Sequence, residues 1–204
     1  METIIMGEKI DKAGMTLINL CLRGLIIVFL LVFGTIFFIR ARNMATIRST
    51  AADMIRYSTA ITDYITDHGV APTNPFGPIH HKKPFIRDLL PYLGMARCMD
   101  WWRYPFRIWT GAGNRIYGLS TTRDNDFIIA SFGKKGLIDG WKYDPGDPDR
   151  GGFPLISTSD FERDIVLMNG EWVRAPFFIL DKNRSSGQAK NIGHKDGDED
   201  GSAR

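Results

Sequence analysis

The feature that most constrains this chain is an uncharged apolar run close to its N-terminus. Sixteen residues, Gly24–Ile39, carry no charge, and Arg40 ends the run. A helix needs about 20 residues to cross the hydrocarbon core of a bilayer, and the residues before Gly24 supply that length if Arg23 is included. The long stem of Arg23 lets its guanidinium reach the membrane surface. We therefore predict a retained transmembrane helix over residues 15–40.

The flanks of this run exclude an ordinary secretory signal but leave the orientation open. The charged sequence Arg40-Ala41-Arg42 follows the run where a small-residue cleavage site would stand. Basic residues flank both ends, so charge alone does not decide which end faces the cytoplasm. They are Lys9, Lys12 and Arg23 before the core, and Arg40, Arg42 and Arg48 after it.

A second helical pattern follows directly. Residues 41–68 contain neither proline nor glycine, and apolar or small residues recur at steps of three and four. This spacing predicts an amphipathic helix, and Gly69 and Pro72 mark its end. The two patterns predict one long helix of roughly 50 residues, or about 75 Å, in which 41–69 continues into a soluble domain. The alternative is a membrane anchor followed by an unrelated helix.

Residues 70–181 predict a small β domain. Phe85–Leu93 is typical of a short helix packed on a core, and several apolar stretches have the length of strands. We expect these strands at Phe106–Thr110, Arg115–Ser120, Phe127–Phe132 and Trp172–Leu180, with Gly111–Asn114 as a hairpin connection between the first two. The predicted fold is α+β, with the long helix packed on a small antiparallel sheet. The polar residues 182–204 predict a disordered tail.

Composition excludes several kinds of function. The net charge is +3 and basic residues are dispersed, so no nucleic-acid partner is expected. Cys21 and Cys98 are the two cysteines of the chain, which is too few for a disulfide scaffold. The sequence has no nucleophile-elbow, Walker or zinc-protease motif. We therefore expect a protein that is not an enzyme.

One short stretch resembles a processing signal. Gly14-Met15-Thr16-Leu17-Ile18-Asn19-Leu20 is similar to the type IV prepilin signature, in which Gly is followed by Phe-Thr-Leu-Ile-Glu. This resemblance implies that residues 1–14 are a leader, that a prepilin peptidase cuts between Gly14 and Met15, and that the new N-terminus is methylated. Asn19 stands where the family has a glutamate that neutralises the N-terminal amine of a neighbouring subunit. A buried charge needs such a partner, and Asn19 supplies no charge.

Four further segments resemble the GspG-type pseudopilins, the major pseudopilins of type II secretion. They are Ala60–Thr73, a helix end and turn; Asp100–Ile108, similar to the family's Asp-Pro-Trp-Gly-x-Pro-Tyr; Asp126–Gly133, similar to a strand ending in Ser-x-Gly; and Phe161–Ile165, similar to the closing Asp-Asp-Ile element. Their order and spacing match from about Gly14 to Asn169. The resemblance implies a pilin-like fold.

The resemblance also raises the question of calcium. In the family, the loop after Ser-x-Gly carries an acidic residue that helps bind structural calcium, but here it reads Gly133-Lys134-Lys135-Gly136. No cofactor is certain. Nearby aspartates are either a rebuilt calcium site, since calcium prefers carboxylate oxygens, or ordinary solvated turn residues. The candidates are Asp139, Asp144, Asp147, Asp149 and Asp164.

The resemblance implies that the chain is a structural subunit of a type II secretion system. Its implied place is the bacterial inner membrane, as a single-pass protein with its C-terminal domain in the periplasm. Its implied partners are other pseudopilin subunits, the inner-membrane secretion platform and prepilin peptidase. The alternatives are an uncleaved, membrane-anchored monomeric binding domain with a pilin fold, or a minor pilin of a type IV pilus or DNA-uptake machine.

Overall fold

The computed structural model of the chain describes residues 2–95 and 97–181, with side chains described from residue 19 onward except at 148 and 149. The predicted tail, 182–204, lies outside the described residues. The chain divides into two compact units, Met1–Ala45 and Thr46–Arg204. The described residues form an α+β fold, as predicted, with one long N-terminal helix and a six-stranded sheet.

The long N-terminal helix, α1, runs from Glu2 to His68 and has 67 residues. It ends where the sequence predicts, because Gly69 leaves the helical conformation and donates its N–H to the carbonyl of Ile65 at 2.7 Å. It also begins earlier than the expected apolar segment, since the residues before Gly14 are helical too. The prediction of one long helix is confirmed.

The predicted apolar stripe on the second part of α1 is also confirmed. Ile47, Ala51, Met54 and Ile61 are all at most 5% exposed. These residues lie at helical steps of three, four and seven, so they share one face. Tyr57 lies beside this stripe and packs against Phe106, with 5.8 Å between the ring centroids. This face of α1 is therefore part of the core of the Thr46–Arg204 unit.

The second helix, α2, spans Pro84–Leu93 and matches the predicted short helix. Pro84 is in its first turn, where a missing N–H removes nothing from the helix. Phe85, Ile86 and Leu89 are buried, which places one face of α2 in the core.

The main sheet has the strand order β1-β2-β5-β7-β8-β6. All its strand pairs are antiparallel except β6 with β8, which is parallel. The sheet is therefore mixed, and the prediction of a purely antiparallel sheet is wrong in this respect. Its strands are β1 (Gly77–Pro78), β2 (Arg107–Thr110), β5 (Phe127–Ser131), β6 (Gly152–Phe153), β7 (Ile165–Met168) and β8 (Glu171–Pro176); β3 (Arg115–Ile116) and β4 (Leu119–Ser120) form a separate hairpin.

The predicted hairpin across Gly111–Asn114 is wrong. Strand β2 pairs with β5, with Thr110 opposite Phe127, and the predicted strand Arg115–Ser120 folds back on itself as β3 and β4. The reversal occurs at Tyr117 and Gly118, which have φ of 57° and 75°. Two successive positive φ values are the geometry of a tight hairpin turn, and glycine favours the second position.

Two other strand predictions need correction. Strand β7, Ile165–Met168, was not predicted as a strand, although all but Met168 are fully buried and it is central in the sheet. The predicted strand Trp172–Leu180 is β8 only as far as Pro176, and 177–181 are helical. Proline cannot donate to a further ladder bond, which explains the stop.

Both faces of the sheet are covered. Side chains alternate across a strand, and Ile128, Ala130 and Val166 form a buried cluster with Tyr117 and Leu119 of the β3–β4 hairpin. Ile129 and its neighbours Ile108 and Leu167 have the opposite parity and are also buried. The hairpin therefore covers one face of the sheet, and burial of the other face accounts for the continuous apolar character of β5.

Candidate functional site

The processing and assembly residues predicted from the sequence all lie on α1. Gly14 and Met15 are within the helical backbone, and their side chains lie outside the described part of the chain. Asn19 and Arg23 are exposed. Arg23 stands one helical turn after Asn19, so the two lie on the same face.

The apolar part of α1 is uncovered in the single chain. Its large apolar side chains from Leu20 to Ile39 are between 47% and 78% exposed. A helix that is apolar all round is stable only in lipid or among other helices. By length and composition, α1 is one helix that could cross a membrane.

The Asp100–Ile108 segment is organised around a buried carboxylate. Asp100 is 3% exposed, and its Oδ1 accepts hydrogen bonds from the backbone N–H groups of Trp102 (3.0 Å) and Tyr104 (2.9 Å). Its Oδ2 accepts from Ser131 Oγ at 2.7 Å. Burial raises the pKa of Asp100 above its ordinary value, while these hydrogen bonds act in the opposite direction. The carboxylate therefore ties this loop to the end of β5.

Two more of the four segments, Asp126–Gly133 and Phe161–Ile165, meet at the same place. Gly133 ends the Asp126–Gly133 segment, and a Cβ on it would lie 2.7 Å from the carbonyl oxygen of Arg163 and 2.8 Å from that of Phe161. This close backbone approach is open to glycine only. Three segments that are far apart in the sequence thus converge around Asp100, Ser131 and Gly133.

The same loop is fixed to α1. The indole N–H of Trp101 donates to Asp53 Oδ2 at 3.0 Å, and the backbone N–H of Trp101 donates to Thr50 Oγ at 3.4 Å. The guanidinium of Arg97 stacks on the Trp101 ring at 3.9 Å from its centroid. The three converging segments are therefore joined to the helix within the Thr46–Arg204 unit.

Of the five candidate calcium ligands, the structure brings Asp139 and Asp164 together. The N–H of Asp139 donates to Asp164 Oδ2 at 3.2 Å, and the N–H of Asp164 donates to Asp139 Oδ2 at 3.3 Å. Arg174 Nη1 lies 2.6 Å from Asp139 Oδ1, and the Tyr117 hydroxyl donates to Asp164 Oδ2 at 2.8 Å. Burial, together with the neighbouring Asp164, raises the pKa of Tyr117, so its hydroxyl keeps the proton that it donates.

The other candidates make separate contacts. Asp144 accepts the N–H of Gly146 at 2.9 Å and lies 3.9 Å from the guanidinium of Arg150. Asp147 is exposed, and the side chain of Asp149 lies outside the described part. Among the side chains that the structure describes, no group of three or more metal-binding residues lies together. The four described candidates, Asp139, Asp144, Asp147 and Asp164, therefore do not gather into the oxygen-rich site that calcium needs.

The Asp139 and Asp164 pair has more negative than positive charge. Two carboxylates face one guanidinium, and Asp164 Oδ1 is buried without a hydrogen-bond partner among the described residues. Burial raises the pKa of Asp164 from 3.8 to about 6, since desolvation disfavours the charged form. The fold therefore holds Asp164 more easily as the neutral acid.

We expect Asp164→Asn to stabilise the protein at neutral pH. Because the pKa of Asp164 is raised in the fold, its favourable contribution is complete below pH 3.8 and is lost as the pH rises through about 6. Asparagine mimics the neutral acid, so Asp164→Asn should gain on the order of 2 kcal/mol over the parent at pH 8 and about half of that at pH 5. The measurement is urea unfolding of the full chain in detergent, followed by tryptophan fluorescence. Asp144→Asn is the control, since Asp144 is 49% exposed; a gain that is equal at both pH values would contradict the prediction.

Arg174 and Tyr117 were missed by sequence reasoning. Arg174 is 6% exposed and lies in β8 between Val173 and Ala175. A single charge inside a strand-like apolar stretch is a usable signal, because arginine is almost never fully buried unless it is paired. The sequence shows that a partner is needed, but not which aspartate supplies it.

Comparison of the chain with protein-family models, with curated proteins and with solved structures finds no match. The functional interpretation therefore rests on the residues and on their geometry.

Proposed function

We propose that this chain is a pseudopilin-like structural subunit and not an enzyme. In this proposal α1 is inserted in the bacterial inner membrane, and the C-terminal domain lies in the periplasm. A prepilin peptidase removes residues 1–14 by cleavage between Gly14 and Met15. The subunits then pack helix against helix on the platform of a type II secretion system, and growth of the short filament drives protein export.

The observation that carries the proposal is that α1 is one continuous helix with two different parts. One unbroken helix joins an apolar stretch that is exposed in the single chain to an amphipathic stretch whose stripe is buried in an α+β domain. The exposed stretch needs lipid before assembly and other helices after it, and a filament subunit meets both needs in turn. The convergence around Asp100, Ser131 and Gly133 supports the proposal, because it brings together three of the segments that resemble the family.

A second candidate is an uncleaved, membrane-anchored monomeric binding domain with a pilin-like fold. Asn19 and Arg23 favour it, because the first offers no charge to a neighbouring amine and the second adds a charge to the apolar helix. A charge in a helix bundle within the membrane is costly unless it is paired. A third possibility is a minor pilin of a type IV pilus or a DNA-uptake machine. Such a protein would also be cleaved by a prepilin peptidase, but it would assemble with different partners.

We expect Asn19→Glu to increase assembly several-fold. A carboxylate at this position, the fifth after Gly14, would neutralise the N-terminal amine of a neighbouring subunit within the apolar filament core. The measurement is the amount of crosslinked oligomer in membranes of cells that contain a prepilin peptidase. Asn19→Gln is the matched control, since it has the length of glutamate without its charge, and it should behave as the parent. A parent and an Asn19→Glu variant that both remain monomeric would support the anchored binding domain instead.

A further inference from the structure

We propose that the Arg174 guanidinium takes the place of a bound divalent cation, holding the loop 137–147 on the sheet through Asp139. The loop contains no strand, so side-chain contacts contribute to its position beside the backbone hydrogen bond from Tyr143 to Tyr117. This inference concerns the folding of the domain and does not depend on the proposed assembly.

Charge and distance at Asp139 argue for this replacement. Arg174 Nη1 is 2.6 Å from Asp139 Oδ1, which is the contact length of a strong charge-assisted hydrogen bond. Calcium binds about six to eight oxygens at about 2.3–2.6 Å. A cation seated on Asp139 would share that oxygen with the guanidinium and would be repelled by its charge.

The surroundings of Arg174 keep its guanidinium in this place. Arg174 is 6% exposed, and its Cζ lies 4.9 Å from the ring centroid of Trp141 and 5.7 Å from that of Phe153. Aromatic faces attract a guanidinium and suit its flat shape. Leaving Asp139 would therefore cost Arg174 its ion pair and two ring contacts.

Asp139 transmits this attachment to the loop. Its Oδ1 also accepts the N–H of Trp141 at 3.0 Å, and its Oδ2 accepts the N–H of Asp164. The N–H of Tyr143 donates to the carbonyl of Tyr117 at 2.6 Å. One carboxylate thus joins the loop, the residue before β7 and a side chain of β8, which is the bridging that a structural metal ion provides.

The test is thermal unfolding of the full chain in detergent, with millimolar EGTA or with millimolar calcium. We expect the Tm of the parent to be the same in both. Arg174→Met keeps the apolar stem and loses the charge, and it should lower the Tm by more than about 5 °C. Arg150→Met, which breaks the exposed 3.9 Å pair with Asp144, should leave the Tm unchanged.

A parent whose Tm falls in EGTA or rises with calcium would overturn the proposal, and this measurement needs no variant to fold. An Arg174→Met variant as stable as Arg150→Met would overturn it as well. Asp139→Asn keeps the shape of the carboxylate and loses its charge, so a Tm equal to that of the parent would also count against it. None of these outcomes depends on whether the chain is processed or assembled.

Discussion

Replacing Asp100 by alanine is expected to lower the free energy of unfolding by about 3–5 kcal/mol. The substitution removes the acceptor of three hydrogen bonds, from the N–H groups of Trp102 and Tyr104 and from the hydroxyl of Ser131. Ser131 is fully buried, so its hydroxyl would be left inside the protein without this acceptor, at about 1–3 kcal/mol, and the two part-buried backbone N–H groups would lose theirs as well. A loss of this size is a large part of the roughly 5–15 kcal/mol that stabilises a typical protein.

Two variants separate the hydrogen bonds of Asp100 from its charge. Asp100→Asn keeps one oxygen for the two backbone donors and offers its amide to Ser131 Oγ, so a much smaller loss is expected. Ser131→Ala removes one donor and should cost about 1 kcal/mol. Urea unfolding of the full chain in detergent, followed by tryptophan fluorescence, measures all three. If Asp100→Ala were no less stable than Ser131→Ala, the described role of Asp100 would be wrong.

Replacing Gly133 by alanine is expected to cost about 2–4 kcal/mol of stability. The new Cβ would lie 2.7 Å and 2.8 Å from the carbonyl oxygens of Arg163 and Phe161. These oxygens belong to the backbone, so they cannot rotate away as a side chain would. The φ of +59° adds the strain of a left-handed conformation.

Gly113→Ala is the matched control for this substitution. Its φ is +88°, but a Cβ there would meet no atom within 4 Å, so we expect only the strain, about 1–2 kcal/mol. The same urea titration compares the two. Equal losses would show that the backbone of residues 161–163 moves away from the new Cβ at position 133 at little cost. The three converging segments would then not be tightly packed there.

The helices could be predicted from the sequence because their signals are local. The period of about 3.6 in residues 41–68, with Gly69 behind it, places the end of α1 correctly. For α2, Pro84 marks the start of the helix, and the spacing of its apolar residues indicates the buried face. Both signals lie within the element itself, so no knowledge of distant contacts is needed.

Strand pairing was harder because it is decided by distant residues. Gly111–Asn114 does form a turn, in which the side-chain amide of Asn114 donates hydrogen bonds to the carbonyls of Thr110 and Gly111. The turn does not show that β2 will pair with β5 instead of the next apolar stretch. The continuous apolar run of β5 indicates that both of its faces are buried, but it does not indicate which strand pairs with it.

The candidate site shows the same division. The resemblance marks Asp100 in one segment and Ser131 and Gly133 in another, but the sequence does not show that the two segments meet. The sequence also does not distinguish among the aspartates after Gly136, since any of them could be the partner of a buried arginine. Arg174 lies opposite Val166 in the pairing of β7 with β8, and Asp139 is hydrogen-bonded to Asp164 just before β7. The contact between Arg174 and Asp139 therefore depends on tertiary structure.

The most direct test of the central proposal is the intact mass of the protein purified from its native membrane. The account predicts a chain that begins at Met15 and is heavier by one methyl group, because the peptidase would recognise Gly14 despite Asn19. A chain that begins at Met1 would contradict the account, and the anchored binding domain would then be the better description.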